Sequence, residues 1–262
     1  MELLKDAPFT IGSDPEYFFE DSQGKFISAI GLVEGSKDVP FAVKNGHVHP
    51  DNVCIEMNTK PAATKEQFSI VTRALLDEVR EIAASNGLLL SGKSYGEFTG
   101  DQLAHPDAMA SGCELDFNAY TSGGTNRPPD YTETLARAAG GHIHIGCEIN
   151  TLPAQLLHKL VKTLDLTVTL PMLCREDEKR RVLYGKAGAF RPKPYGLEYR
   201  TPSNAWTLSE KRINWVYDAV QKALNAFATI PLDPKIPQLI NDHNVNGAYQ
   251  MVQSYGLDIM PA

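Results

Sequence analysis

The sequence predicts an α+β fold in which a mainly antiparallel sheet is backed by helices. Apolar residues recur at helical spacing in residues 64–86, 151–174 and 209–228. Between these stretches lie short segments in which polar and apolar residues alternate, which is the pattern of strands with one buried face. No inter-domain linker is visible, so residues 1–262 are expected to form a single domain.

Composition and charge argue against several classes of protein. The chain has 262 residues, of which 42% are hydrophobic, and a net charge of -7, which disfavours nucleic acid or an anionic membrane as the main partner. No apolar run has the length of a membrane span, and the first residues lack the apolar core of a signal peptide. The four cysteines lie far apart without C-x-x-C spacing, which disfavours a zinc knuckle or a disulfide framework. We therefore expect a cytoplasmic protein.

The first candidate site residues lie in a predicted hairpin. Residues 9–19 are expected to form a strand interrupted at 12–15, and a turn leads to a second strand at 25–30. Asp14 and Glu16 are two residues apart, so they can share a face of the first strand. A polar turn before an ordinary strand is the alternative, but the apolar neighbours of Glu16 favour a functional role for it.

Another carboxylate lies in the middle of the next predicted strand. Three apolar residues fall on one face of this strand, and Glu56 falls on the other. Burial of Glu56 without a partner would cost several kcal/mol, so it is expected to be either solvated or held by a partner. His47 and His49 lie in a loop flanked by Gly and Pro, where we expect structural roles.

The predicted helices form the scaffold of the domain. Thr64 begins the first helix with a capping box, and Asn86-Gly87 ends it. Pro171 is expected to kink or end the second helix, and Ser209 is expected to cap the third. The charged residues 175–181 are expected to form a solvated turn.

A long stretch without strong periodicity covers residues 92–130. It is rich in Gly, Pro, Asn and Asp and contains GCELDFNAYTS, residues 112–122. Long loops inside compact domains are usually functional or mobile. We interpret this stretch as a substrate-side loop, and a flexible surface insertion is the alternative.

Two histidines mark the next strand, in AAGGHIHIG. His142 and His144 alternate with Ile143 and Ile145, so both imidazoles share one face while the isoleucines pack on the other. Two imidazoles on one face indicate a metal site more strongly than one does. The flanking small residues leave room for a close approach. A core strand with two hydrogen-bonded histidines is the alternative.

Residues 184–206 are basic in an acidic chain. They carry four cations and one carboxylate: Lys186, Arg191, Lys193, Arg200 and Glu198. Alternation places Glu198 and Arg200 on one strand face. In that arrangement a carboxylate can hold a metal cation while a guanidinium forks onto phosphate oxygens. An ion pair on an exposed strand is the alternative.

If these strands are neighbours in one sheet, three or four carboxylates converge. Each like-charge pair near 4 Å costs roughly 4 kcal/mol at an effective dielectric constant of about 20. Such a cluster implies either a bound cation or a raised pKa on one member. Carboxylates with an imidazole suit Mg²⁺ or Mn²⁺ better than a structural zinc ion.

The order of these motifs is similar to that of a known superfamily. GGHIHIG and GLEYRTPS resemble motifs of the carboxylate–amine ligases related to glutamine synthetase and glutamate–cysteine ligase. IGSDPEYFF, DNVCIEMNTKP and GCELDFNAYTS resemble the phage-type COOH–NH2 ligase branch, and the likeness runs from about residue 10 to residue 206. The resemblance implies a curved, mainly antiparallel sheet that forms a half-barrel funnel, with ATP entering one end and metals lining it.

The resemblance also implies roles for single residues. Mg²⁺ or Mn²⁺ would be held by Glu16, Glu56, Glu198 and one of His142 and His144. Arg191 and Arg200 would contact the transferring phosphate, with Lys186 or Lys193 assisting. Glutamine synthetase has further glutamates where this chain has Glu56 alone, so Asp14 or Asp51 is expected to substitute. The chain is also much shorter, so the oligomer usual in glutamine synthetase is not assumed.

We therefore expect an ATP-dependent ligase that joins a carboxylate to an amine through an acyl phosphate. Its partners would be a small-molecule or peptide carboxylate, glutamate-like by resemblance, and an amine. Arg191, Arg200 and Glu56 are the expected catalytic residues, and the compartment would be the host cytoplasm if a phage encodes the chain. The alternatives are a metal-dependent hydrolase and a non-catalytic nucleotide-binding module.

Overall fold

A computed structural model of the chain describes residues 8–109, 115–121, 123–127, 129–147 and 152–262. Part of the predicted substrate-side loop lies outside them, including Cys113 and Ser122, as does Thr151 at the expected helix start. Within the described residues, no helix combines the length and the apolar character needed to cross a membrane.

The described strands pair in antiparallel fashion. They are β1 Thr10–Glu20, β2 Phe26–Ile27, β3 Phe41–Val43, β4 Gly46–Asp51, β5 Cys54–Thr59, β6 Leu89–Ser91, β7 Tyr95–Glu97, β8 Asp116–Asn118, β9 Thr125–Asn126, β10 Ala136–Ala138, β11 Gly141–Gly146, β12 Ala189–Lys193 and β13 Gly196–Tyr199. The main sheet has the order β3-β4-β5-β1-β11-β13-β12-β8-β9, while β2 and β6 pair with β1 and β7 pairs with β10. The sheet is open rather than closed into a barrel, and the predicted α+β class with a mostly antiparallel sheet is confirmed.

The described residues form eight α-helices, of which the three longest cover the apolar side of the sheet. They are α1 Lys65–Ser85, α2 Pro106–Met109, α3 Ala154–Leu164, α4 Leu170–Met172, α5 Glu178–Leu183, α6 Glu210–Ala226, α7 Ile236–Asn241 and α8 Val245–Ser254. The side chains of Thr64 and Ser209 cap α1 and α6, as predicted. Apolar residues of α1, α3 and α6 pack with Ile143, Ile145 and Leu197 in one core. The opposite side of these strands is left for polar side chains.

Three expectations for the strands need correction. β1 runs without a break through 12–15, because Pro15 closes the ladder with β11 and Glu16 N–H donates to the Gly140 carbonyl oxygen at 3.0 Å. β2 is only two residues long. His47 and His49 lie on β4 rather than in a loop, because Asn52, at φ 53°, turns the chain from β4 into β5.

The second predicted helix passes Pro171 instead of ending there. A π-helical turn at Asp165–Thr169 follows α3 and leads into α4, and a 3₁₀ turn at Leu173–Arg175 comes next. The wider turn places Pro171 at the beginning of α4, where its missing N–H costs little.

Residues 175–181 do not form a wholly solvated turn, because Glu176, Arg180 and Arg181 are buried, whereas Arg175 and residues 177–179 are exposed. Glu176 contacts Arg181, and both side chains are almost fully excluded from water. Arg180 donates to the carbonyl oxygens of Ala139, at 2.8 Å, and Pro202, at 2.9 Å. Backbone carbonyl oxygens from distant segments therefore accept hydrogen bonds from buried arginines that the local sequence pattern predicts to be exposed to solvent.

Asp165 is a buried acid that makes stability depend on pH. It accepts hydrogen bonds from Tyr199 Oη at 2.6 Å and from the Gly188 N–H at 2.7 Å. Burial raises the pKa of Asp165 to about 6 despite these bonds. Because the folded-state pKa lies above the unfolded value, ionisation of Asp165 costs stability as pH rises from about 4 through 6.

We expect Asp165→Asn to remove this pH dependence. A pKa difference of about two units corresponds to about 3 kcal/mol. The free energy of unfolding of the variant, relative to wild type, should therefore rise by about that amount between pH 4 and pH 7. Urea unfolding at a series of pH values measures it. A difference that is constant across this range would contradict the raised pKa.

Candidate functional site

The predicted site residues meet on the polar side of the central strands. Residues that face each other across an antiparallel pair project to the same side of the sheet. The facing pairs are Glu16 with Glu56, Asp14 with His142, His144 with Glu198, and Arg191 with Glu198. Ile143, Ile145 and Leu197 are buried on the other side, as the alternation predicted. Five consecutive strands, β5-β1-β11-β13-β12, thus build one continuous polar surface.

Asp14, His144 and Glu198 form what we call the first acidic group. Each offers a ligand atom, and these atoms lie within 4.8 Å of one another. Asp14 Oδ2 is 3.0 Å from His144 Nε2, and Asp14 Oδ1 is 3.2 Å from His142 Nδ1. Asp14 Oδ1, His144 Nε2 and Glu198 Oε2 are buried and make no hydrogen bond with the described residues, although Lys193 Nζ lies 2.8 Å from Glu198. Such converging ligand atoms, whose nearest partners are the two imidazoles, Asp14 and Lys193 Nζ, fit a divalent cation.

The electrostatics keep both carboxylates of the first acidic group ionised. Burial raises the pKa of Asp14, but His144 and His142 outweigh burial and hold it well below its usual range. Burial also raises the pKa of Glu198, but the Arg200 guanidinium dominates and lowers it to about 2. Anionic oxygen ligands are therefore present at neutral pH, as Mg²⁺ or Mn²⁺ requires.

Glu16, Asp51 and Glu56 form the second acidic group, again with ligand atoms within 4.8 Å of one another. Glu16 accepts the Gly140 N–H at 2.7 Å, and Glu56 accepts from Asn58 at 2.8 Å. Burial raises the pKa of Glu16, and burial together with Asp14 and the other two carboxylates raises that of Glu56 much further. A cation would relieve this repulsion, so the all-oxygen donor set fits Mg²⁺ or Mn²⁺.

Two arginines lie beside the first acidic group. Arg200 contacts Glu198 and Tyr184, and its Nε lies 2.8 Å from Asp116 Oδ1. Arg191 lies 3.2 Å from the same Asp116 oxygen and 3.8 Å from Glu198. Both guanidinium groups are nearly buried. The arrangement concentrates fixed positive charge beside carboxylates, where a phosphoryl group can be stabilised.

The structure separates the two predicted lysines. Lys193 is partly exposed and reaches Glu198 of the first acidic group. Lys186 is half-buried, and burial lowers its pKa, while its charged neighbours are Arg181 and Asp242. Lys186 thus lies towards the end of α7, with no described contact to either acidic group.

Several site residues were not identified from the sequence. Asp116 bridges the two arginines, Tyr184 Oη lies 3.1 Å from His142 Nε2, and Tyr195 contacts His144. Asp116 belongs to GCELDFNAYTS, so that motif was its only signal, whereas no local pattern marks the two tyrosines. For Asp51 the sequence predicts only a role as a substitute ligand.

The glycines before His142 serve protein packing. A Cβ on Gly140 would overlap the imidazole of His142, and a Cβ on Gly141 would overlap the carbonyl of Ser203. The room expected before His142 is therefore filled by the chain itself, and Trp206 Nε1 donates to the Gly141 carbonyl at 2.9 Å. These contacts fix the position of β11 and of both imidazoles.

Two cavities adjoin the site. One of about 380 Å³ lies beside the first acidic group, and its lining includes Ser13, Asn58, His144 and Tyr195. The other, of about 30 Å³, touches Glu16 and Asp51 of the second group and is also lined by Tyr131 and Tyr184. A larger open groove of about 490 Å³ between α7 and α8 shares none of these residues. Each acidic group thus has a cavity beside it.

Comparison with known proteins gives one informative match. No curated protein matches the chain. Residues 134–238, less than half of the chain, match the family described as phage phiEco32-like COOH.NH2 ligase-type 2. The matched segment includes both histidines, both arginines and Glu198, but neither Asp14 nor the second acidic group. This part of the chain is similar to a carboxylate–amine ligase family.

Proposed function

We propose that the chain is an ATP-dependent carboxylate–amine ligase that works through an acyl phosphate. A carboxylate oxygen of the acid substrate attacks the γ-phosphorus of ATP, and the bond to the β–γ bridging oxygen breaks to release ADP. The amine then attacks the acyl carbon and inorganic phosphate leaves. The amine loses a proton, and the product is an amide. The observation that carries this proposal is the placement of two arginines beside the first of two acidic groups that share one sheet face.

The acidic groups would hold Mg²⁺ or Mn²⁺. Asp14, His144 and Glu198 would bind one cation, and Glu16, Asp51 and Glu56 the other. Bound divalent cations would neutralise phosphate charge during transfer. His142 lies between Asp14, Arg200 and Tyr184, so we assign it to orienting these side chains rather than to direct ligation.

The larger of the two cavities suggests where the nucleotide enters. Ligand pockets usually have about 300–1,000 Å³, so the 380 Å³ cavity lined by Tyr195 suits a nucleoside. Arg191 and Arg200 would then contact the γ-phosphoryl group from beside the first acidic group. The cavity of about 30 Å³ beside the second group has room for no more than about one water molecule, so we assign neither the acid nor the amine to it. An amino-acid or peptide carboxylate, glutamate-like by resemblance, is the proposed acid.

We also propose that residues 1–262 act as one catalytic domain related to glutamine synthetase. The antiparallel order of the strands and the concentration of ligands on one sheet face support a curved, funnel-like active site of that kind. The basic side chains beside Glu198 favour a ligase over a simple metal-dependent hydrolase, because a simple hydrolase does not need so many phosphate-type contacts.

Asp14→Asn tests this function directly. The amide removes the charge that holds His144 and the proposed cation, so ADP formation should fall by at least about 100-fold. ADP release would be measured with Mg·ATP against a panel of amino acids and amines, together with the amide product. Asp218→Asn, at an exposed ion pair with Lys65, is the matched control and should keep wild-type activity. Hydrolysis without amide formation would support a hydrolase, and nucleotide binding without ADP would support a binding module.

A further inference from the structure

His49 is a buried polar side chain that the proposed chemistry does not use. Its side chain is 2% exposed, and neither ring nitrogen makes a hydrogen bond with any residue that the structure describes. Leaving a buried donor and acceptor without partners costs stability. A histidine that served packing alone would be replaced by an apolar residue without loss, so the position calls for another explanation.

The ring lies directly beside the second acidic group. His49 faces Glu56 across the β4–β5 pair, and its Nε2 is 3.5 Å from Glu56 Oε1. A hydrogen bond needs about 3 Å between these atoms, so a small shift of the carboxylate would make one. Glu56 already accepts from Asn58, which leaves it oriented by one neighbour and within reach of a second.

We propose that His49 is a positioning residue for the second acidic group. When Glu16, Asp51 and Glu56 close on a divalent cation, His49 donates Nε2–H to Glu56 and fixes the direction of its carboxylate. The imidazole acts through Glu56, because the ligand atoms that converge within 4.8 Å are those of the three carboxylates and not the nitrogens of His49. Hydrogen-bond partners of metal ligands typically change metal affinity by about 10–100-fold. The inference rests on the proposed function, because it requires a cation at this group.

The test is a titration of the full chain with Mn²⁺ in the absence of nucleotide. Electron paramagnetic resonance of the free Mn²⁺ measures how much of the ion is bound. Wild type should bind two ions. His49→Leu should weaken one of them by about 10–100-fold and leave the other unchanged. His49→Gln should recover affinity to within a few-fold of wild type, because its amide can donate to Glu56. His47→Leu is the matched control on the same strand, where the side chain is exposed, and should bind as wild type does.

Unfolding of the metal-free variants separates positioning from packing. His49→Leu should be at least as stable as wild type, because it replaces an unsatisfied polar ring by an apolar side chain. If this variant fails to fold, His49→Ala can replace it in the Mn²⁺ titration, since alanine also lacks the hydrogen-bond donor. Two unchanged Mn²⁺ sites in the variant, or equal weakening of both, would overturn the role of His49. A wild type that binds no Mn²⁺ would instead refute the cation sites of the proposed function.

Discussion

Arg200→Lys is expected to lower turnover by about 1,000-fold or more while nucleotide affinity changes by less than about tenfold. Arg200 contacts Glu198, Asp116 and Tyr184, so its guanidinium is held in one orientation beside the first acidic group. A planar fork can bind two oxygens of the transferring group, whereas an ammonium group presents a single point of charge. Arginines that stabilise phosphoryl transfer contribute about 10³–10⁵ in rate.

Two measurements separate transfer from binding in this variant. Rapid-quench detection of ADP in a single turnover reports the chemical step, and a fluorescence titration with a nucleotide analogue reports affinity. Arg212→Lys is the matched control, because the Arg212 guanidinium is also held by hydrogen bonds, to the carbonyl oxygens of Ala205 and Pro261, but lies outside the site. An Arg200→Lys enzyme with a single-turnover rate within tenfold of wild type would show that Arg200 does not stabilise the transfer.

Much of the site was predictable because strand alternation is a local property. The spacing of His142 and His144, and of Glu198 and Arg200, determines which side chains share a face, whatever the neighbouring strands are. The structure shows which strands are neighbours and in what register, for example that His144 lies opposite Glu198. That information is long-range, so the division of the carboxylates into two groups was not predictable from spacing alone.

The environments of Arg180, Arg181 and His49 were not predicted correctly, and the reason is the same for all three. Arg180 and Arg181 lie in a charged run that is typical of a solvated surface, and their burial depends on carbonyl acceptors contributed by residues such as Ala139 and Thr201. The flanking Gly and Pro predict a loop around His49, yet Pro50 still pairs with Ile55 in the ladder. In both cases contacts with residues distant in the sequence determine the structure, although the local sequence pattern favours a different one.

The buried charges behind the site support a second large effect, on stability. Glu176 contacts Arg181, lies 3.8 Å from Arg180 and accepts the Ser203 N–H at 2.6 Å. Arg181 also donates to the Thr201 carbonyl oxygen at 2.8 Å, next to Arg200 in the chain. This network ties α5 to the segment that follows β13, so it supports the position of Arg200.

We expect Glu176→Gln to lower the free energy of unfolding by about 3–5 kcal/mol at pH 7, because it leaves two buried guanidinium groups without their counter-charge. Burial raises the pKa of Glu176, but Arg181 and Arg180 outweigh burial and lower it overall. The stabilisation is therefore present above the unfolded pKa of about 4.3 and is lost as pH falls through the lower folded value. Urea unfolding of both proteins from pH 7 to pH 3 measures the difference in the free energy of unfolding, which should become smaller as the pH falls.

Asp218→Asn, which breaks an exposed ion pair, is the control and should change the free energy of unfolding by less than about 1 kcal/mol. A similarly small loss in Glu176→Gln would mean that the surrounding carbonyl oxygens alone suffice to hold both arginines.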